Sequence, residues 1–352
     1  MAGRRPPSMT ENPRILVIRR RYLGDVVLLG SLLLNLRLHR PLARVVVLVE
    51  PAWSGILTLN PDLNAFMELP KGLSSWKAFL GALRSERFTH VLDLDNTEKT
   101  AVIARLSGAP VRIGLHHGAH PIKLRSLYTD VAYEPEAEHE AQPITEYYLK
   151  ALAPAGVPVV TREVRLVPRE SEVRDWRRMV GAQGRTLLVH PGSRSAWRLW
   201  PEDRFAAVCD RVQDELGVQV VLVGGPAERG LVASIRSKAR SHLLAIDPAP
   251  SLTGLASLAR ACSLMLCHDS GPMHVAAAVG TRVVALYGSQ NPVLFQPHGQ
   301  GHTVLTPPAP CAACVAPGSC VPGDSYRNLC VRLLTVEQVF AALKAALSEV
   351  PA

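Results

Sequence analysis

Residues 14–49 open with Arg14-Ile-Leu-Val-Ile18, turn through Arg19-Arg-Arg-Tyr-Leu-Gly24-Asp25, continue to Leu38 and close with Arg44-Val-Val-Val-Leu-Val49. The two short, continuous apolar runs read as strands covered on both faces, and Asp25 to Leu38 reads as a helix. Strand, helix and strand in that order make a βαβ unit, the element of a parallel sheet flanked by helices.

The same grammar extends on either side of this stretch. A helix is expected from Trp53 to Asn60, then a strand over Ala65-Phe-Met-Glu-Leu69 and a helix from Trp76 to Arg84. His90-Val-Leu-Asp-Leu94 reads as a strand, Thr97 to Ser107 as a helix and Val111-Arg-Ile113 as a strand. Tyr133 to Glu146, carrying Glu134, Glu136, Glu138 and Glu140, reads as an acidic, exposed approach to a helix at Tyr147 to Ala153. From Arg185 the alternation restarts, with strands at Thr186-Leu-Leu-Val189, Val218 to Val223, Ser263 to Cys267 and Arg282 to Leu286. The expected organisation is a tail over 1–12, an acceptor-side domain over 13–165, a nucleotide-binding domain over 166–334 and a final helix in 335–352. That last helix, with Val339, Leu343 and Leu347 at helical spacing, is expected to pack back on the first domain. Two doubly wound units place ligands at the carboxyl ends of their strands and between the domains.

Composition narrows the function classes. The chain has 352 residues, 47% apolar and 20% charged, which predicts two globular domains and not a disordered chain. A net charge of +9 predicts attraction to nucleic acid, a membrane surface or a phosphorylated substrate. Aromatic residues are only 5%, which gives no stacking platform for nucleic acid bases and leaves nucleic acid off the expected partners. The greasy stretch over 26–36 is interrupted by Gly30, Ser31 and Asn35 and falls short of the ~20 residues of a spanning helix. Arg4 and Arg5 are followed by Pro6, Pro7, Glu11 and Pro13 where a signal peptide would be apolar. A cytoplasmic protein with transient contact at the inner membrane surface is the expectation.

Four strand-end loops gather chemically useful residues. In the first, Asp25 opens a helix: it is either a dipole-complementing cap or a general base, with Arg19 and Arg21 beside it to hold an anionic acceptor. In the second, His190-Pro-Gly192-Ser193 and Arg198 offer backbone N–H groups and a charged fork to phosphate. The third, His268-Asp269-Ser270-Gly271-Pro272-Met273-His274, sets Ser270 and Gly271 at a helix N-terminus, a natural pyrophosphate site. Within it, Asp269 also suits an N-cap and His274 a core position. In the fourth, Gly-Gly-Pro-Ala-Glu228, the carboxylate is either a ribose acceptor or a surface residue near a helix start.

These residues together carry a resemblance. Leu-Gly24-Asp25, His190-Pro-Gly with Trp200-Pro201, Gly-Gly-Pro-Ala-Glu228, Asp269-Ser-Gly-Pro-Met-His274 and Leu286-Tyr-Gly288 resemble, in the same order, glycosyltransferase family 9. The resemblance implies a GT-B fold, two Rossmann-like domains facing across a cleft, and metal-independent, inverting transfer of heptose from ADP-heptose to a lipopolysaccharide-core glycolipid. It implies Asp25 as the base and His190, Gly192, Ser193, Arg198, Glu228 and Asp269 to His274 around the donor. It also implies Lys99, with Arg19 and Arg21, on the acceptor side. Arg198 stands where the family often has lysine, Ser31 where proline is usual, and Ser289-Gln-Asn-Pro292 replaces Pro-Thr-Asp-Pro.

Two further patterns invite metal. Asp93-Leu-Asp95 is an Asp-x-Asp, and Cys311, Cys314, Cys320 and Cys330 could supply four thiolates to a structural zinc. Cys209, Cys262 and Cys267 read as small buried hydrophobes. The rival functions are a sugar-nucleotide epimerase on the same fold, which would isomerise a nucleotide sugar without acceptor, and a non-enzymatic anion-binding module motivated by charge alone.

Overall fold

A computed structural model describes residues 12–181, 184–194, 198–288, 290–308 and 329–350. The chain divides into two compact units, Met1–Arg165 and Leu166–Ala352. The first holds strands β1 (Arg14–Ile18), β2 (Arg44–Val49), β3 (Ala65–Glu68), β4 (His90–Asp93), β5 (Val111–His117) and β6 (Asp130–Glu134). They form one parallel sheet in the order β3-β2-β1-β4-β5-β6. The second holds β7 (Thr186–His190), β8 (Gln219–Leu222), β9 (Leu244–Ala245), β10 (Leu264–His268), β11 (Arg282–Leu286) and β12 (Thr303–Leu305). Its parallel order is β12-β11-β10-β7-β8-β9. Counted from each unit's own first strand, both sheets run 3-2-1-4-5-6, the Rossmann order. The order reverses at β1/β4 and at β7/β10, so the residues just past Ile18, Asp93, His190 and His268 occupy the two crevices where such sheets bind ligands.

Central strands explain the apolar runs. Ile15 to Ile18 and Leu187 to Val189 are fully buried, as parallel strands under helices on both faces must be. The expected Asp25–Leu38 helix is two helices, Leu23–Leu28 and Gly30–His39, joined through Leu29, which keeps helical dihedrals. A Cβ on Gly30 would lie 3.1 Å from Val164 Cγ1, so glycine lets the segment around Val164 approach there.

One expectation is corrected. The acidic approach at Tyr133 to Glu146 is not simply exposed: β6 ends on a fully buried Glu134, and a helix follows over Glu136–Ala141. Gln142 donates to Glu134 at 2.6 Å, His139 Nδ1 lies 2.8 Å away and Lys150 3.7 Å away, so this carboxylate finds its partners inside the fold. The final helix, Val336–Ser348, turns its apolar face into the second unit. Val339, Phe340, Leu343 and Leu347 are buried in the second unit's own core with Phe205, Val208 and Val212, and the Leu347 carbonyl accepts from Arg185 at 2.8 Å.

Candidate active site

The carboxyl end of β1 builds the first site. Asp25 sits in the first turn of the Leu23–Leu28 helix and is buried. Tyr22 ahead of it takes φ 65° and ψ 129°, a positive-φ conformation uncommon outside glycine, where the chain passes from strand into helix. Both Asp25 oxygens are engaged: Tyr148 Oη donates to Oδ1 at 2.7 Å, and Arg19 Nη2 pairs with Oδ2 at 2.9 Å. Arg19 Nη1 also donates to the Leu94 carbonyl at 3.2 Å and reaches Asp95 Oδ1 at 3.4 Å. Burial works against the Arg19 cation, yet Tyr148, Asp25 and Asp95 together raise its pKa above the ordinary arginine value.

The three consecutive arginines therefore separate. Arg19 turns in toward Asp25. Arg20 is buried and donates from Nε to Asp95 Oδ2 at 2.5 Å. Arg21 stays exposed, 3.6 Å from Glu50. The Arg19 guanidinium is thus held between two carboxylates, Asp25 and Asp95, while Arg21 stands at the surface beside Glu50. Arg21 and Lys99 do come together, lining a cavity of about 480 Å³ with Arg20, Glu50, Asn96 and Lys123. Lys99 Nζ lies 5.2 Å from the Trp76 ring centroid. Asn96, at φ 48°, donates to the carbonyls of His120 and Pro121 and accepts from the Lys123 N–H, which fixes Lys123 at this rim.

Asp93-Leu-Asp95 is spent on protein donors. Asp93 is fully buried, accepts from Tyr128 Oη at 2.6 Å and from the Asp95 N–H at 3.0 Å, and burial pushes its pKa up to about 6. No group of three His, Cys, Asp or Glu among the described residues is arranged to hold a metal. Cys311, Cys314 and Cys320 lie outside the described residues. Cys330 falls in a short helix, Leu329–Arg332, whose side chain there is likewise outside them.

The ends of β7, β8 and β10 build the second site. His190 closes β7 with Nε2 3.2 Å from Glu228 Oε2, and the Gly225 N–H donates to the same oxygen at 2.6 Å. A Cβ on Gly192 would lie 1.7 Å from Glu228 Oε1, so only glycine leaves room for this carboxylate. Burial opposes the Glu228 charge, but His190 and Gly225 outweigh it and hold its pKa below the usual carboxylate range. Arg198 Nη1 reaches Asp269 Oδ2 at 3.2 Å and the Asp269 carbonyl at 3.4 Å. Ser270 precedes the Gly271–Ala278 helix in extended backbone, its Oγ buried and without a partner among the described residues. Met273 and His274 are both buried, with Tyr287 Oη 3.6 Å from the Met273 sulfur. Ser193 is half-buried beside Gly192.

Some functional neighbours escaped sequence reading. Tyr148 lies 123 positions from Asp25, and only the Tyr147-Tyr148 pair on an apolar helix, Ile144–Leu149, could have hinted at it. His268 is fully buried and its Nε2 accepts from the Trp200 N–H at 2.8 Å, tying the second loop to the third.

The comparisons with known proteins follow this geometry. Lipopolysaccharide heptosyltransferase 3 of Escherichia coli (strain K12) is 28% identical over 295 residues, 79% of this chain and 83% of that protein. Among solved structures, the glycosyl transferase family 9 protein from Veillonella parvula DSM 2008 superposes with a TM-score of 0.81 at 23% identity, covering 96% of this chain and 98% of the other. The E. coli ADP-heptose lps heptosyltransferase II gives a TM-score of 0.77 at 23% identity, over 96% and 99%. Two Rossmann-like units of this likeness give the chain the GT-B fold. The profile of glycosyltransferase family 9 (heptosyltransferase) matches residues 76–322, and the chain belongs to that family. No helix among the described residues is long and apolar enough to cross a membrane.

Proposed function

We propose that this enzyme transfers a heptose, or a related sugar, with inversion from ADP-heptose or a similar nucleotide sugar to a lipopolysaccharide-core or other glycolipid acceptor. The observation that carries this reading is Asp25, a buried carboxylate fixed on both oxygens at the ligand-binding end of β1. Asp25 takes the proton of the acceptor hydroxyl as that oxygen bonds to the anomeric carbon. The bond from that carbon to the phosphate oxygen breaks on the opposite face, and ADP leaves with the electron pair. Arg198 and the N–H groups at Ser270 and Gly271 offset charge gathering on the pyrophosphate. His190, Gly192, Ser193 and Glu228 take the nucleoside side, with Asp269, Met273 and His274 shaping the donor loop. Arg21, Lys99 and Lys123 give a cationic rim suited to a phosphorylated glycolipid at a membrane surface. Relatives named for lipopolysaccharide heptose transfer and for ADP-heptose support the donor and acceptor classes.

Asp25→Asn tests the reading. Turnover of ADP-heptose with a deacylated lipopolysaccharide core should fall by about 10²- to 10⁴-fold, while ADP affinity by calorimetry stays at the wild-type value. Near-normal turnover would remove Asp25 from the role of base.

A further inference from the structure

We propose that Tyr148 is a positioning residue for the Asp25 carboxylate, one jaw of a clamp whose other jaw is Arg19. The proposal rests on Asp25 being the base. The Leu23–Leu28 helix has no side-chain cap, and within its own loop Asp25 is held by Arg19 alone among the described contacts. Orientation comes from two donors on two different oxygens: Tyr148 Oη on Oδ1 at 2.7 Å and Arg19 Nη2 on Oδ2 at 2.9 Å. Two donors at the two ends of a planar group fix its plane as well as its place. Each oxygen keeps a second lone pair, so the clamped carboxylate can still accept a proton.

Both jaws are themselves braced. Tyr148 is fully buried on the Ile144–Leu149 helix. The Arg19 guanidinium lies 5.2 Å over the Tyr148 ring, a cation on a π-face. Arg19 is tied further to the Leu94 carbonyl and Asp95, and Asp95 to Arg20. The charges alternate from Asp25 through Arg19, Asp95 and Arg20 to Glu50. Burial, then Asp25, raise the Tyr148 pKa well above the ordinary phenol value against the pull of Arg19. Tyr148 therefore stays a phenol at working pH and serves as a donor, leaving the acceptor proton to Asp25. Tyr147, its neighbour on the helix, meets His117 and His139 edge-on instead and does not share the role.

A merely structural tyrosine and a positioning one differ in what they do once Asp25 is gone. Steady-state release of ADP from ADP-heptose, with a deacylated lipopolysaccharide core as acceptor, is measured for the wild type, Tyr148→Phe, Asp25→Asn and the double variant, alongside thermal unfolding. Tyr148→Phe should lower kcat by about 10- to 100-fold with both KM values within about twofold of wild type. The double variant should turn over no more slowly than Asp25→Asn alone, since there is no base left to position. Unchanged kcat in Tyr148→Phe overturns the proposal. So does a further loss in the double variant, or a Tyr148→Phe protein that no longer folds; either would assign the hydroxyl to stability. A fast Asp25→Asn enzyme would instead refute the base reading itself, whatever Tyr148→Phe shows.

Discussion

The two units repeat one strand order and use the same position in it oppositely. Past β1, the Asp25 carboxylate has a protein donor on each oxygen, while Arg19 Nε beside it is buried without a partner among the described residues. Past β7 and β10, buried polar atoms remain without a protein partner among the described residues: His190 Nδ1, Arg198 Nε and Ser270 Oγ. Leaving such a group unmade costs roughly 1–3 kcal/mol, so a fold keeps several together only where something else takes the bonds. Phosphate oxygens or water can. A carboxylate with a donor on each oxygen is held still, whereas a loop with several unmet donors has them to give an anion.

The contrast predicts that substitutions in each unit separate cleanly in kinetics. After Asp25→Asn and Tyr148→Phe, which act on turnover, the largest expected effect on binding comes from Gly192→Ala. The new Cβ would overlap Glu228 Oε1 at 1.7 Å and Cδ at 2.1 Å. Glu228 cannot simply swing away without losing His190 and the Gly225 N–H. Forcing volume into such a site costs about 1–3 kcal/mol; where ADP has to restore the undistorted loop to bind, that cost falls on its affinity, about 5- to 150-fold by calorimetry. Acceptor KM should not move. If ADP binds the variant as well as it binds wild type, Glu228 does not belong to the donor site.

A smaller effect is expected on the first unit's rim. Arg21 is exposed and Lys99 lies on the same cavity, so their contacts with an anionic acceptor are screened by solvent and salt. Replacing both with alanine should raise acceptor KM by about three- to tenfold at low salt, less at high salt, with ADP affinity untouched. A change in donor affinity instead would place the rim on the wrong substrate.

How legible these features were depends on how far their causes reach along the chain. β1, β2, β7 and β10 read directly, because a strand buried on both faces must be apolar without interruption. Asp25, Glu228 and Asp269 read as loop residues, because chemistry in such sheets collects where strands end. Glu134 misled because its acidity is visible locally, while His139, Gln142 and Lys150, which meet it, depend on the chain's return. Tyr148 has no local signature beyond the Tyr147-Tyr148 pair: its partner is fixed by packing a helix over the end of a strand. The final helix shows an apolar face plainly enough, but periodicity says only that the face is buried, not against which core.

The smallest predicted effect concerns acid, and it too distinguishes the units. His268 is fully buried between the second and third loops, where its Nε2 accepts from Trp200. Burial, and then His190, push its pKa down to about 3. The unfolded chain takes up this proton near pH 6.5, so between about 6.5 and 3 the unfolded state binds more protons than the folded one. Stability is therefore lost as pH falls through that window, and above it His268 contributes no pH dependence. Asp93, in the first unit, runs the other way. Burial raises it to about 6, so on acidification from 6 the folded state takes its proton first and gains stability until the unfolded carboxyl follows. Glu86 and Glu136, held below the usual carboxylate range by Arg44 and by His117, oppose that gain in the first unit but sit nearer the surface. Urea unfolding midpoints between pH 7 and 4 should therefore fall less steeply in His268→Gln, which keeps an acceptor for Trp200 but cannot titrate, than in wild type. Equal slopes for the two proteins would show that His268 is protonated in the fold, and with it that the second unit's loops do not depend on a neutral imidazole.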